Sequence, residues 1–162
     1  MSWNDLPPEE AEAVFLSCCG SRAWARRMAE GRPYVDQDAL LEAADRIWWS
    51  LAPEDWLEAF AAHPKIGEKK PSGDAQFRRW SEQEQAGVRS AESSLLAELA
   101  EANRAYAERF GYIFIVCATG KSAEEMLGLL RSRLGNDPET ELRLAAEEQR
   151  KITRLRLLKA ET

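Results

Sequence analysis

The chain has 162 residues, 44% of them hydrophobic and 31% charged, with a formal net charge of −6. That is the composition of one folded domain with enough chain to bury a sizeable core, and it excludes a largely disordered polypeptide. The acidic balance argues against a life on nucleic acid or anionic lipid, both of which require a cationic field.

Cys18, Cys19 and Cys117 form no CxxC pair, and adjacent cysteines rarely bridge each other, so neither a disulfide framework nor a zinc cluster is expected. No apolar run approaches the ~18 residues of a membrane span, and the acidic start MSWNDLPPEE does not read as a signal peptide. A soluble, cytoplasmic protein in a reducing compartment is the expectation.

Asp5 and the Pro7-Pro8 pair predict a first helix running to Gly20. Ser21 caps a second, with Trp24 and Met28, that ends at Gly31. Arg32-Pro33-Tyr34 reads as an extended link to a cap at Asp36 or Asp38, and the third helix carries Leu40, Leu41, Ala44, Ile47 and Trp48. Ala52-Pro53 breaks it, and Pro53 suits the first turn of a fourth helix through Trp56, Leu57 and Phe60. His63, the only histidine, closes that run, because Pro64 forces the chain out of α geometry.

After a turn-rich loop, Ser81 and Glu84 have the spacing of a capping box, so a helix is expected from there. A longer one is predicted from about Ser90 to Phe110, with Leu95, Leu96, Leu99, Ala102, Tyr106 and Phe110 at three- and four-residue intervals and Gly111 as a left-handed cap. Tyr112 to Ala118 is β-branched and aromatic but has no evident strand partner. It is expected to be an extended core segment, since one strand cannot satisfy its own backbone groups. Ser122 and Glu125 repeat the capping-box pattern before a helix ending at Gly135. Asp137-Pro138 starts a closing amphipathic helix to about Lys159, with Leu142, Ala145, Ile152 and Leu155 along one side. The sum is an all-α, single-domain bundle of about eight helices, residues 1–162, with one extended core segment at 112–118.

Several polar residues interrupt this pattern. At 100° per residue Arg156 lies about 40° from Ile152, on the apolar face, whereas Arg154 points roughly 200° away. An arginine there is either a snorkelling or ion-paired side chain at the core margin, or an anion clamp, because burying its charge alone is costly. Asn103 lies on the packed side of its helix and reads as a satisfied core amide. Glu84 and Ser81 are accounted for by helix capping, Gln85 by exposure on a helix, and His63 by a structural or surface place; each also suits a polar site. One histidine without a cysteine or carboxylate cluster makes a transition-metal site unexpected, and no nucleotide-binding glycine loop is present.

Taken as an ordered set, Arg32-Pro33-Tyr34, His63-Pro64-Lys65-Ile66-Gly67, Trp80-Ser81 with Glu84-Gln85, Asn103 with Tyr106, Phe110-Gly111-Tyr112-Ile113-Phe114, and Lys151-Ile152 with Arg156-Leu157 resemble the 2-oxo-4-hydroxy-4-carboxy-5-ureidoimidazoline (OHCU) decarboxylase family. The resemblance covers nearly the whole chain. It implies an all-helical enzyme of urate degradation that forms (S)-allantoin without cofactor or metal, and a homodimer acting on a small ureidoimidazoline. By position it implies catalytic roles for His63, Glu84 and Arg156. It implies substrate contacts from Pro64, Ser81 and Gln85 and from the Ile113, Phe114 and Ile115 backbone. The family arginine follows an isoleucine by four residues, which selects Arg156 over Arg154, as the helical-face argument does independently.

Two other readings remain at this level. One is a non-enzymatic helical interaction module using the tryptophans and the closing helix. The other is a hydrolase pairing Cys117 with His63, which the apolar setting of Cys117 disfavours.

Overall fold

The structure, a computed structural model, describes residues 2–63 and 93–160. Among them are eight helices and no strand: α1 Ser2–Asp5, α2 Pro8–Cys18, α3 Arg22–Glu30, α4 Gln37–Ser50, α5 Pro53–Ala61, α6 Ser93–Phe110, α7 Ala123–Arg133 and α8 Pro138–Ala160. The all-α expectation holds. Short α1 was not expected, whereas the helix predicted from Ser81 lies outside the described residues. No described helix is long and apolar enough to cross a membrane.

The fold comprises two compact units, one of residues 1–59 with 150–162, the other of residues 60–149. In the first, the predicted punctuation is realised. Pro8 occupies the first turn of α2, where its missing N–H costs nothing. Ser21 caps α3 by accepting from Trp24 N–H, and Asp36, not Asp38, caps α4 by accepting from Ala39 N–H at 2.8 Å. Gly31 ends α3 at φ −77°, so no left-handed turn explains it. A Cβ at this position would stand 2.7 Å from the Tyr34 hydroxyl, which donates to Met28 O at 2.6 Å.

Tryptophan rings fill this unit. Trp3 stacks on Phe15 at 5.8 Å, Phe15 meets Trp24 edge-on, and the indole N–H groups of Trp24 and Trp56 donate to the carbonyls of Ala44 and Trp48. Trp24 and Trp56 therefore bury their apolar bodies while their polar edges are satisfied, whereas the Trp3 indole nitrogen is buried without a partner among the described residues. The Arg32-Pro33-Tyr34 link is fixed from both sides: Arg32 donates to the carbonyls of Ala29, Trp3 and Leu6, and Asn4 exchanges two 2.9 Å bonds with the Tyr34 backbone.

The core of the second unit gathers Leu99, Ala102 and Tyr106 from α6, Phe114, Val116 and Ala118 from the extended segment, and Met126, Leu127 and Leu130 from α7. Gly111 takes φ 85° as the cap of α6, and the Ser122–Glu125 capping box opens α7 with both reciprocal bonds. Residues 113–118 lie in neither helix nor strand, with no strand pairing among the described residues. Side chains meet their backbone needs instead: Arg133 donates to Ile115 O at 2.7 Å, Cys117 N–H to Glu148 at 2.9 Å, and Lys121 to Cys117 O at 2.8 Å.

On α8 the buried stripe is Glu141, Ala145, Ala146, Gln149, Ile152, Thr153, Arg156 and Leu157. Leu142 and Leu155, expected along one side with Ala145 and Ile152, are only half-buried. Polar residues take the middle of the stripe, so the apolar period alone misplaces it.

Candidate functional site

His63 stands just beyond the end of α5. Its N–H donates to Phe60 O at 3.2 Å, continuing the helix by one tight turn, and Phe60 packs on Tyr112 at 5.3 Å. The imidazole is half-buried, and its Nε2 lies 2.6 Å from Oε1 of Gln149, a residue with no solvent exposure on α8. Histidine and glutamine are 86 positions apart, so the tertiary fold brings them together.

Beside this pair runs the extended segment. Phe114 and Ile115 are buried and Ile113 is half-buried. The Arg133 guanidinium that holds Ile115 O also lies over the Phe114 ring at 4.5 Å and pairs with Glu141. Glu141 is fully buried and additionally accepts from the Tyr106 hydroxyl and, at 3.1 Å, from the Asn136 amide. A buried carboxylate with this many donors keeps its charge compensated. Burial, followed by the Glu141 hydrogen bond, holds the Tyr106 hydroxyl protonated well above the usual phenol range. Asn103 is 3% exposed; its amide donates to Leu99 O at 3.0 Å, while Oδ1 is buried without a partner among the described residues. The expectation of a satisfied amide is thus met on one side only.

Arg156, in the other unit, is 1% exposed, which closes the snorkelling option. Its Nη1 donates to Cys18 O at 3.3 Å, at the C-terminus of α2, where orphan carbonyls and the negative end of the helix dipole welcome a cation. Burial pushes the Cys18 thiol up to about 12 and that of Cys19 up to about 11, with the Arg156 charge pulling each the other way. Arg154 is exposed, as predicted.

Pro64, Ser81, Glu84 and Gln85 lie outside the described residues. Gln149, Glu141, Glu148 and Arg133 are polar residues that the sequence reading missed. The signal was present for two of them: Glu141 and Gln149 each fall about 40° from Ala145, on the same arc that singled out Arg156.

These features define a helical protein with one histidine aligned by a buried amide, a site suited to acid–base chemistry. Residues 4–158 match the family model described as OHCU decarboxylase, and the chain belongs to that family. It is 46% identical over 154 residues to the uric acid degradation bifunctional protein TTL of Arabidopsis thaliana, covering 93% of this chain and 47% of that protein. It is 34% identical to the 2-oxo-4-hydroxy-4-carboxy-5-ureidoimidazoline decarboxylase of Amia calva, covering 78% of this chain and 73% of that one. The chain thus spans about half the length of the bifunctional relative and most of the other.

Among solved structures, an OHCU decarboxylase crystallised in the presence of (S)-allantoin superposes with a TM-score of 0.79 at 38% identity, covering 90% of this chain and 95% of that one. An (S)-allantoin synthase shares the fold at a TM-score of 0.73 and 20% identity, over 98% of this chain and 52% of that one.

Proposed function

We propose that this protein is a carboxy-lyase that converts 2-oxo-4-hydroxy-4-carboxy-5-ureidoimidazoline to (S)-allantoin in urate degradation, without a cofactor. The observation that carries the reading is the family match over residues 4–158, a range that includes His63, Glu84 and Arg156, to which the sequence resemblance gives catalytic roles. The 38% identical structural neighbour obtained with (S)-allantoin supports the product.

The chemistry asks little of a protein beyond placement and proton transfer. Loss of carbon dioxide leaves an electron pair, which the substrate accepts into its adjacent C=N bond, so no external electron sink is needed. His63 is the acid–base group, moving the C4 hydroxyl proton or delivering one to a single face of C5. Glu84 orients His63 or holds the ureido group. Arg156, with Ser81 and Gln85, binds the carboxylate or ring oxygens, and Pro64 and the Ile113 to Ile115 backbone complete the contacts.

The same reading includes a homodimer, a cytoplasmic location and one decarboxylase-like domain over residues 1–162. The first two are supported by the family resemblance and the composition, the third by a family match that enters both compact units.

The substrate decays unaided to racemic allantoin, so the enzyme's contribution is rate together with handedness. The test adds the purified protein to urate being oxidised by uricase and hydroxyisourate hydrolase while optical activity is followed. Rapid appearance of (S)-allantoin is expected; a racemic, unaccelerated course refutes the assignment.

A further inference from the structure

The contact between His63 Nε2 and Gln149 Oε1, at 2.6 Å, constrains the histidine chemically. An amide oxygen has no hydrogen to give, so the ring nitrogen facing it must carry one. A neutral imidazole has one N–H and one lone-pair nitrogen; a hydrogen on Nε2 leaves the lone pair on Nδ1. We infer that Gln149 is a positioning residue that holds His63 in the Nε2–H tautomer and thereby makes Nδ1 the atom that takes up and returns the substrate's proton.

Both partners are anchored for this task within the unit of residues 60–149. Gln149 is fully buried on a regular helix, next to Ala145 and Ala146, which are also fully buried. Its neighbour Glu148 accepts the Cys117 N–H at 2.9 Å, so this stretch of α8 is tied to the extended segment at the same level. His63 is fixed from its own side by the bond to Phe60 O and by the packing of Phe60 on Tyr112. These contacts fix the backbone that carries the imidazole, and the bond to Gln149 orients the ring.

An amide also differs from a carboxylate in this place. It orients the ring without itself adding a negative charge that would favour imidazolium. The catalytic half of the inference rests on the decarboxylase reading; the tautomer half rests on the contact alone.

Because His63 is the only histidine, nitrogen NMR of protein labelled in histidine reports this one ring. Above its titration the wild type is expected to show a pyrrole-type Nε2 and a pyridine-type Nδ1. Gln149→Met, close in volume but unable to accept strongly, relaxes the shifts toward the averaged values of a free imidazole. Gln149→Glu keeps the Nε2–H tautomer, raises the midpoint of the ring titration, and moves the acid limb of the kcat/KM profile by the same interval.

In decarboxylation, Gln149→Met is expected to lower kcat by about 10- to 100-fold with KM little changed. A wild-type ring protonated at Nδ1, or imidazole shifts unaltered in a folded Gln149→Met, overturns the tautomer lock. A lock that behaves as expected in a wild type without decarboxylase activity refutes the proposed function and leaves the lock standing. Full kcat in Gln149→Met overturns the catalytic half.

Discussion

Arg133, the last residue of α7, and Glu141, in the first turn of α8, form a buried pair in which Nε of the arginine lies 2.8 Å from the carboxylate. Through Nη1 the same guanidinium holds the carbonyl of Ile115. The pair therefore connects two helix ends to the backbone that the proposed function uses as a wall of the substrate pocket. Its geometry fixes where that wall stands.

Glu141→Gln leaves the Arg133 charge buried with weakened compensation, and Arg133→Met leaves the carboxylate in the same position. Each single change is expected to destabilise by about 3–5 kcal/mol, with the double variant Arg133→Met/Glu141→Gln losing less than the sum. Urea unfolding of the four proteins closes the cycle. Additive losses show that the two charges do not act as a pair. Arg133→Met should also raise KM, because the carbonyl of Ile115 loses its donor.

The two adjacent thiols set an alkaline limit. Burial, the largest influence, raises the Cys18 thiol from the usual 9.0 to about 12 and that of Cys19 to about 11. The unfolded chain thus releases these protons at a lower pH than the folded one, and the stability linked to them is fully present below about pH 9 and lost between about 9 and 12. Tyr34, Tyr106 and Tyr112 are also raised by burial and act with the same sign at higher pH. The urea midpoint should be flat from pH 7 to 8.5 and fall above pH 9, less steeply in Cys19→Ala. Iodoacetamide at pH 8 should leave Cys18 and Cys19 of the native protein unmodified; rapid alkylation of either in folded protein contradicts the burial.

The sequence showed the helix punctuation well, because proline, serine, aspartate and glycine act through local backbone chemistry. Ser21, Asp36, Pro53, Gly111, Ser122 and Pro138 all stand at or next to the helix ends they predict. Arg156 was legible too, as a charge on an apolar arc. Gln149 and Glu141 occupy the same arc and were passed over because the apolar count was drawn through Leu142 and Leu155, which are only half-buried. Partners such as Gln149 for His63, or Arg133 for Ile115 O, are long-range pairings that no local period encodes. Gly31 was read as a helix end, which it is, but the demand on it for glycine is steric and comes from Tyr34.

Ser122 offers a test of the local reasoning. Its hydroxyl accepts from Glu125 N–H at 3.1 Å while the Glu125 carboxylate accepts from Ser122 N–H at 3.3 Å. Ser122→Ala removes one side of this exchange and should cost about 1 kcal/mol, a fall in Tm of roughly 2–4 °C. Glu125→Ala should cost less. A calorimetric scan that finds Ser122→Ala unchanged indicates that tertiary packing, and not the cap, starts α7.

Arg156 separates charge from geometry. With 1% exposure and a bond to Cys18 O, it is pre-set by the protein and does not have to be ordered by substrate. Arg156→Lys keeps the charge but not the planar fork, and a lost charge-assisted bond of about 1.5–3 kcal/mol corresponds to roughly a 10- to 100-fold drop in kcat/KM. Arg154→Lys, on the exposed side of the same helix, should leave kcat/KM at the wild-type value. Equal behaviour of the two variants removes Arg156 from the substrate-binding role.

His63→Ala and Glu84→Ala bear on the reaction itself. His63 sits after the end of α5, where its side chain supports no helix, so the alanine variant should fold with a far-ultraviolet spectrum like the wild type. Loss of a positioned acid–base group costs about 10²- to 10⁴-fold, enough to drop the catalysed rate toward the spontaneous decay. The sign of the effect on handedness is then fixed: allantoin still forms, slowly and as a racemate, because uncatalysed protonation at C5 does not choose a face. Glu84→Ala should retain more of the stereochemical excess than His63→Ala if the carboxylate only orients the imidazole, and the same residual amount if it also holds the ureido group. Optical rotation of the product and the rate of its formation, read from one time course, separate these cases; a wild-type rate with full (S) excess in folded His63→Ala excludes the histidine from the proton transfer.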